Sequence, residues 1–281
     1  SIGTTAPARG RALRRRLGRD DLMMRAGVVL LGLGFLAFMV LPLYFMLSRS
    51  MENRDGAFIG LSNYITYFST PALSISATNS LTVAGLTMII CIALAFTYAY
   101  ALTRSHMPLK GMFRALALVP ILAPSLLPAI AEVYLFGNQG MAKEVLLGHS
   151  IYGPIGIVIG LVFWTFPHAM MILVTALSIS DQRLYEAAES LGAGRLKTFF
   201  TVTLPGAKYG LVSAVFVVFT LAITDFGVPK VIGGQYDVLA TEVYKQVVGR
   251  HDFQMGAVVG VVLLIPAVVA FIVDRIVQRK Q

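Results

Sequence analysis

Residues 186–205 read EAAESLGAGRLKTFFTVTLP. The stretch holds two helical patterns separated by Gly-Ala-Gly. Just upstream, QRLYEAAESL (182–191) places Leu184, Ala188 and Leu191 on one helical face, with Glu186, Glu189 and Ser190 elsewhere. Ser180 and Asp181 offer N-caps. Gly192 stands where the first helix would end. After Gly194, RLKTFFTVTL resumes a helical period as far as Pro205. The reading is a pair of short, water-compatible helices joined by a glycine turn. Both flanks are long apolar runs, so the question is why such a chain keeps this charged pair between them.

The surroundings are membrane sequence. Of 281 residues, 57% are hydrophobic and 13% charged, with a mean hydropathy of +0.76. Soluble domains carry about a quarter charged residues, so this chain cannot cover a water-facing surface and reads as an all-α, polytopic membrane protein. A crossing helix needs about 20 apolar residues. Six runs qualify: roughly 26–47, 80–103, 113–136, 153–177, 210–232 and 255–277. The first reads as a span rather than a cleavable signal, because it is long and no small-residue cleavage pattern follows. The single cysteine, Cys91, excludes an intrachain disulfide framework and reads as a small buried hydrophobe.

The basic residues fix an expected orientation. An arm over residues 1–25 carries Arg9, Arg11, Arg14, Arg15, Arg16, Arg19 and Arg25. The same side receives Arg104, Lys110 and Arg114, then Arg183, Arg195, Lys197 and Lys208, and finally Arg275, Arg279 and Lys280. That side holds 17 of the 23 basic residues and the other side 6. Both termini, and the 181–205 loop, are therefore expected in the cytoplasm. The +9 net charge follows topology, and the arginine-rich arm fits anionic lipid headgroups better than nucleic acid.

In the 181–205 loop, EAA, three residues, glycine, nine residues, an aliphatic residue and Leu-Pro resembles the cytoplasmic signature of bacterial ABC importer permeases of the type I class. The matching positions are Glu186, Ala187, Ala188, Gly192, Val202, Leu204 and Pro205. Val202 stands where isoleucine is commoner. The resemblance covers nearly all of the chain beyond the basic arm. It implies that 26–281 is a six-span permease domain in a bacterial inner membrane, and that this loop docks in a cleft of a separate ATPase subunit. The implied partners are ABC ATPase subunits, a second permease domain (a fused half, or the other member of a homo- or heterodimer), and a periplasmic or extracellular solute-binding protein. No cofactor, metal or catalytic residue is implied. Residues 223–234, ITDFGVPKVIGG, resemble a narrower group, the permeases for ferric iron and 2-aminoethylphosphonate. Many of those are double-length chains, and this one resembles the first half.

Other classes fit less well. GAGRLKT (192–198) lacks the glycine directly before lysine that a phosphate loop needs. None of His106, His149, His168 and His251 lies in an HExxH motif, and no G-x-S-x-G occurs. His168, beside Pro167 within a span, reads as a satisfied packing histidine. An ion-gradient-driven carrier or channel would also hold ionisable residues at depth, but it has no use for a docking loop.

A solute must pass by the few polar features of the spans. Pro120, Pro124, Pro128 and Glu132 recur every four residues along the third run. They are expected on one face, either as a bend alone or as part of the pathway. Asp225 lies where Gly227 and Pro229 weaken the fifth run, with Lys230 close behind. Two readings are open: a pathway carboxylate, or a local ion pair with Lys230. The repeats GIVIG (156–160) and GAVVG (256–260) permit close helix approach. The segments 48–79, with Tyr64, Tyr67 and Phe68, and 233–254 are the expected docking surfaces on the outer side.

Overall fold

The computed structural model describes residues 19–179 and 182–279. The N-cap candidates Ser180 and Asp181, and most of the basic arm, lie outside these residues. The chain divides into two units, 1–46 and 47–281. Within the first, helix α1 (Asp20–Ser50, continuing into the second unit) leaves its apolar side chains uncovered.

The second unit is built on four helices: α3 (Pro71–Arg104), α6 (Pro154–Ile179), α9 (Lys208–Thr224) and α12 (Phe253–Gln278). Lipid tails are as apolar as leucine, so helix association in a membrane depends on close packing rather than on escape from water. The sequence supplies that closeness with small side chains. Along α3, Ser76, Ser80, Ala84, Thr87, Cys91, Ala95 and Ala99 follow one another at spacings of three and four, and all are buried. Cys91 packs there as expected, accepting a 3.4 Å hydrogen bond from Thr165 of α6. Thr165 also returns its hydroxyl to the Leu161 carbonyl at 2.7 Å.

A close approach joins α6 and α9. A Cβ placed on Gly210 would lie 2.2 Å from Ala176 Cβ. The GIVIG repeat works in the same way: a Cβ on Gly156 would meet Ile232, and one on Gly160 would meet Val228 and the Glu132 carboxylate.

Two of the expected spans are broken. The third consists of α4 (Lys110–Leu118), a 3-10 turn over Val119–Leu122, and α5 (Leu126–Phe136), with a 101° bend between them. The expected single stripe is therefore wrong. Pro120 lies in the turn before the break, Pro124 lies in the break, and only Pro128 and Glu132 share a helix. A proline every four residues removes the amide donors of successive turns and clashes with the preceding carbonyls, so the run breaks rather than bends. The fifth span ends early, at Thr224, and a short α10 (Gly227–Ile232) follows after Asp225 and Phe226.

The segments expected as outer docking surfaces bury part of their side chains. In α2 (Ser62–Ser69), Tyr67 is a core residue bonded to Ser76, whereas Phe68 is exposed. Burial pushes the Tyr67 phenol above its ordinary pKa, against the Ser76 hydrogen bond. Helix α11 (Leu239–Tyr244) is anchored to α3, where Ser80 Oγ accepts from Leu239 N at 2.7 Å.

The α6–α9 contact is testable. Gly210→Ala should destabilise the protein by about 1–3 kcal/mol through overpacking. Ala176→Gly in the same chain should recover most of that loss, because it removes the atom the new methyl meets. Thermal unfolding in detergent reads both. Full stability of Gly210→Ala alone would refute the close approach.

Candidate functional site: the 182–206 loop and the paired helix breaks

Helix α7 (Gln182–Ser190) ends in a Schellman motif. Ala193 N donates to Ala188 O and Gly192 N to Glu189 O, both at 2.9 Å. Gly192 carries φ +69°, a left-handed conformation that glycine adopts without Cβ strain. The spacing of the sequence pattern now has a physical cause. Ala188 and Gly192 are the C3 and C′ positions of one helix cap, and Ala193 and Ala188 are small enough to meet across it. After the turn, α8 (Arg195–Gly206) runs through a π-helical segment at Phe199–Thr203 and takes in Leu204 and Pro205. Leu184, Leu191, Leu196 and Phe200 are exposed on this helix pair. These are large apolar side chains that the chain itself leaves uncovered.

Two side chains hold the loop to the spans, and a third contact ties the loop to itself. Phe199 stacks edge-on against Phe96 and Tyr100 of α3. Tyr185 donates to Thr203 at 3.1 Å and so ties α7 to α8. Arg104, the last residue of α3, reaches three groups: it donates to Leu177 O at 2.7 Å and to Gln182 Oε1 at 3.1 Å, and its guanidinium lies 4.1 Å from the Tyr185 ring centroid. One side chain thus joins the ends of α3 and α6 to the start of α7. Arg104, Tyr185 and Thr203 were missed in the sequence, where Arg104 counted only as topological charge.

The pathway candidates gather elsewhere, where the two broken spans meet. Asp225 is buried; its Oδ2 accepts from Val228 N at 2.8 Å, and the carboxyl also takes a hydrogen bond from Ser125. Ser125 belongs to the break before α5, so the side chain of one break satisfies the other. A Cβ on Gly227 would fall 2.3 Å from Ser125 Oγ, so this contact needs glycine. The expected Asp225–Lys230 pair does not form. Lys230 is exposed, with Nζ 4.2 Å from the Tyr244 ring centroid, and Phe226 stacks on the same tyrosine. On a six-residue helix, a cap geometry turns the aspartate inward while Lys230 points out. Glu132, on α5, is 7% exposed and lies beside Gly160; its Oε2 has no partner among the described residues. His168 Nδ1 is likewise buried without a partner among them, so the expectation of a satisfied histidine is corrected. Ser125 and Tyr244 gave no signal in the sequence. No group of three or more metal-ligating side chains occurs among the described residues.

Comparison with known proteins agrees with this architecture. The family described as "Binding-protein-dependent transport system inner membrane component" matches residues 94–281, and the chain belongs to it. A putative ferric transport system permease protein of Haemophilus influenzae, FbpB 1, is 29% identical over 207 residues, covering 71% of this chain and 33% of that protein. The spermidine/putrescine permease PotB of the same organism is 28% identical over 221 residues, covering 74% and 77%. The chain therefore spans about a third of the length of the ferric relative. Among solved structures, a chain of a bacterial alginate ABC transporter in complex with an alginate pentasaccharide-bound periplasmic protein superposes with a TM-score of 0.72 at 17% identity, over 93% of this chain and 94% of that one. The MetNI methionine ABC transporter follows at 0.60 and 18%, over 73% and 94%. The fold is that of a type I ABC importer transmembrane domain.

The aspartate cap predicts a separable pair of variants. Asp225→Ala should cost about 1 kcal/mol of stability, as for a lost helix cap. Asp225→Asn keeps an acceptor and should stay within a few tenths of wild type. Adding Lys230→Met to either should change nothing beyond its own effect, since the two residues share no contact. Rescue of Asp225→Ala by Lys230→Met in thermal unfolding would restore the ion-pair reading.

Proposed function

We propose that this chain is the permease subunit of an ATP-driven importer, in which the 181–205 loop couples a separate ATPase to the spans. The observation that carries the reading is the loop itself. A Schellman-capped helix pair leaves Leu184, Leu191, Leu196 and Phe200 exposed while Arg104 and Phe199 fix it to two spans. An apolar surface on a stiff mount is suited to receive a push and pass it on. The family membership supports the same role. The loop residues proposed to act are Glu186, Ala187, Ala188, Gly192, Leu204 and Pro205, with Arg104 positioning them.

In this reading both termini and the loop face the cytoplasm. Hydrolysis occurs in the ATPase subunits, a soluble binding protein delivers solute outside, and a second permease domain completes the enclosure. That second domain is a fused half or a separate chain. Closure of the ATPases tilts the spans by alternating access. The paired breaks, where α5 and α10 meet, are the proposed point of passage.

For the solute, the names of the relatives divide between ferric iron and polyamines. At the breaks, Asp225 and Glu132 are buried and Lys230 is the exposed charge. We take the route to pass the outer face of α10, where the Lys230 ammonium repels a free polyamine and attracts an anion. This supports an anionic solute, such as 2-aminoethylphosphonate or ferric iron held by anionic ligands, over a polycation. Uptake assays with the assembled complex, offered each solute on its binding protein, decide among them.

Coupling is tested at the turn. Gly192→Pro imposes φ near −65° where +69° is needed and removes the donor to Glu189. Glu186→Lys reverses a charge on the exposed helix. Arg104→Lys keeps the charge but loses the planar fork that reaches two acceptors and a ring. Each should insert normally and uncouple ATP hydrolysis from uptake in vesicles containing all subunits. Coupled uptake at the wild-type ratio in all three would remove the role.

The isolated chain supplies a separate check. Expressed without ATPase and a second permease domain, residues 1–281 should give no uptake above background. Uptake driven by an ion gradient alone would favour a secondary carrier.

A further inference from the structure

Below the ends of α3, α4, α6 and α7 lies a cavity of about 520 Å³. Its polar lining includes Arg104, Lys110, Arg114, Ser178 and Gln182, and no carboxylate is among its lining residues. A second cavity of about 420 Å³ adjoins it, sharing Arg104, Lys110 and Gln182 and adding Arg195 and a single acid, Glu189. Lys110 and Arg114 sit four apart on α4, and like charges at that spacing repel. Neither has an ion pair or side-chain hydrogen bond among the described residues. Arg104 spends two nitrogens on Leu177 and Gln182, while its Nε is buried with no partner among the described residues. Three cations thus line one space, with a donor to spare and no acid among its described lining residues.

We propose that this cavity binds a phosphate group, either the phosphodiester of an anionic lipid headgroup or free phosphate. A phosphate oxygen accepts from arginine and lysine by charge-assisted bonds. Basic pockets at helix ends on the cytoplasmic side of a membrane suit such headgroups. The cavity also has an apolar wall, Leu102, Val174 and Leu177. The group would join Lys110 and Arg114, at the start of the third span, to Arg104. It would thereby steady the side chain that holds Gln182 and Tyr185. That consequence for coupling rests on the proposed function, but binding itself does not.

The test uses the purified full chain in neutral detergent, without transport. Native mass spectrometry and thermal unfolding compare phosphatidylglycerol with phosphatidylcholine. Wild type should retain and be stabilised by phosphatidylglycerol. The double variant Lys110→Gln/Arg114→Gln should lose affinity by roughly fivefold per removed cation. Arg275→Gln, at the end of α12 and outside the cavity, should not. Arg114→Gln alone, at an exposed position, serves if the double variant folds poorly. Displacement of the lipid by millimolar inorganic phosphate identifies free phosphate as a ligand; retention identifies the headgroup, and either outcome supports the site. Wild-type lipid binding by the double variant, or an equal loss in Arg275→Gln, overturns it. So does a double variant that keeps the lipid but releases the ATPase subunit from the assembled complex, which would assign the cavity to a protein carboxylate. A failure of the coupling reading would appear in the vesicle assay and leave lipid retention unchanged.

Discussion

A helix broken among apolar neighbours in a membrane frees backbone donors and acceptors that lipid cannot satisfy. This protein breaks two spans and meets the demand by packing one break on the other. Asp225 leaves α9 in an extended conformation, turns its carboxylate back to the Val228 amide, and takes a further hydrogen bond from Ser125 in the opposing break. Gly227 makes the approach sterically possible. Gly156 and Gly160 on α6 then receive Ile232 and Val228 from α10, so the short helix is clamped between a broken span and an unbroken one. Remove the glycines and the breaks separate; separate the breaks and Asp225 loses Ser125, keeping only the Val228 amide of its own break.

The same logic of closeness carries from the breaks to the loop. Small residues down α3 let α6 and α9 approach, and the Gly210–Ala176 contact leaves little room for those two helices to slide independently. Interiors packed at this density transmit displacement rather than absorb it. At the far end of α3 and α6, Arg104 ties both helices to Gln182 and Tyr185, so under the proposed coupling a relative shift of the two helices would be passed to the loop. The Schellman cap keeps the following turn in one conformation. A flexible loop in this place would dissipate the motion that a stiff one passes on.

Much of this was legible in the sequence, and the failures have definite causes. The six apolar runs, the glycine turn and the small-residue repeats depend on local chemistry: length, a missing Cβ, periodicity. The glycine turn and the GIVIG repeat stand where that chemistry puts them; of the six runs, four form helices long and apolar enough to cross a membrane, and the third and fifth are broken. The proline stripe was read as one face because a four-residue spacing implies a continuous helix, yet the residues that set the spacing are the ones that destroy the helix. For Asp225 the sequence leaves a pathway carboxylate and an ion pair with Lys230 both open, because an acid and a base five residues apart can pair. The structure instead uses the acid for a backbone amide and a serine that lies 100 positions earlier in the chain. Tyr67 looked like an outer docking aromatic, but its hydroxyl finds Ser76 and its ring enters the core. Each miss is a tertiary partner distant in sequence or a side-chain direction that local pattern does not encode.

Arg104 shows the difference between a charge that is counted and a charge that is placed. For orientation in the membrane, any lysine or arginine at the end of α3 would serve, because the rule concerns the number of cations on each side. For the geometry found here only a planar fork will do. A carbonyl at 2.7 Å, an amide oxygen at 3.1 Å and an aromatic face at 4.1 Å surround one guanidinium from different directions. An ammonium is compact, strongly hydrated and unable to lie flat on the tyrosine while reaching both acceptors. The identity of the residue thus encodes a requirement that net charge conceals. The spans are positioned by bulk properties that many sequences share, whereas the link between spans and loop depends on one side chain whose shape, more than its charge, fixes where the loop sits.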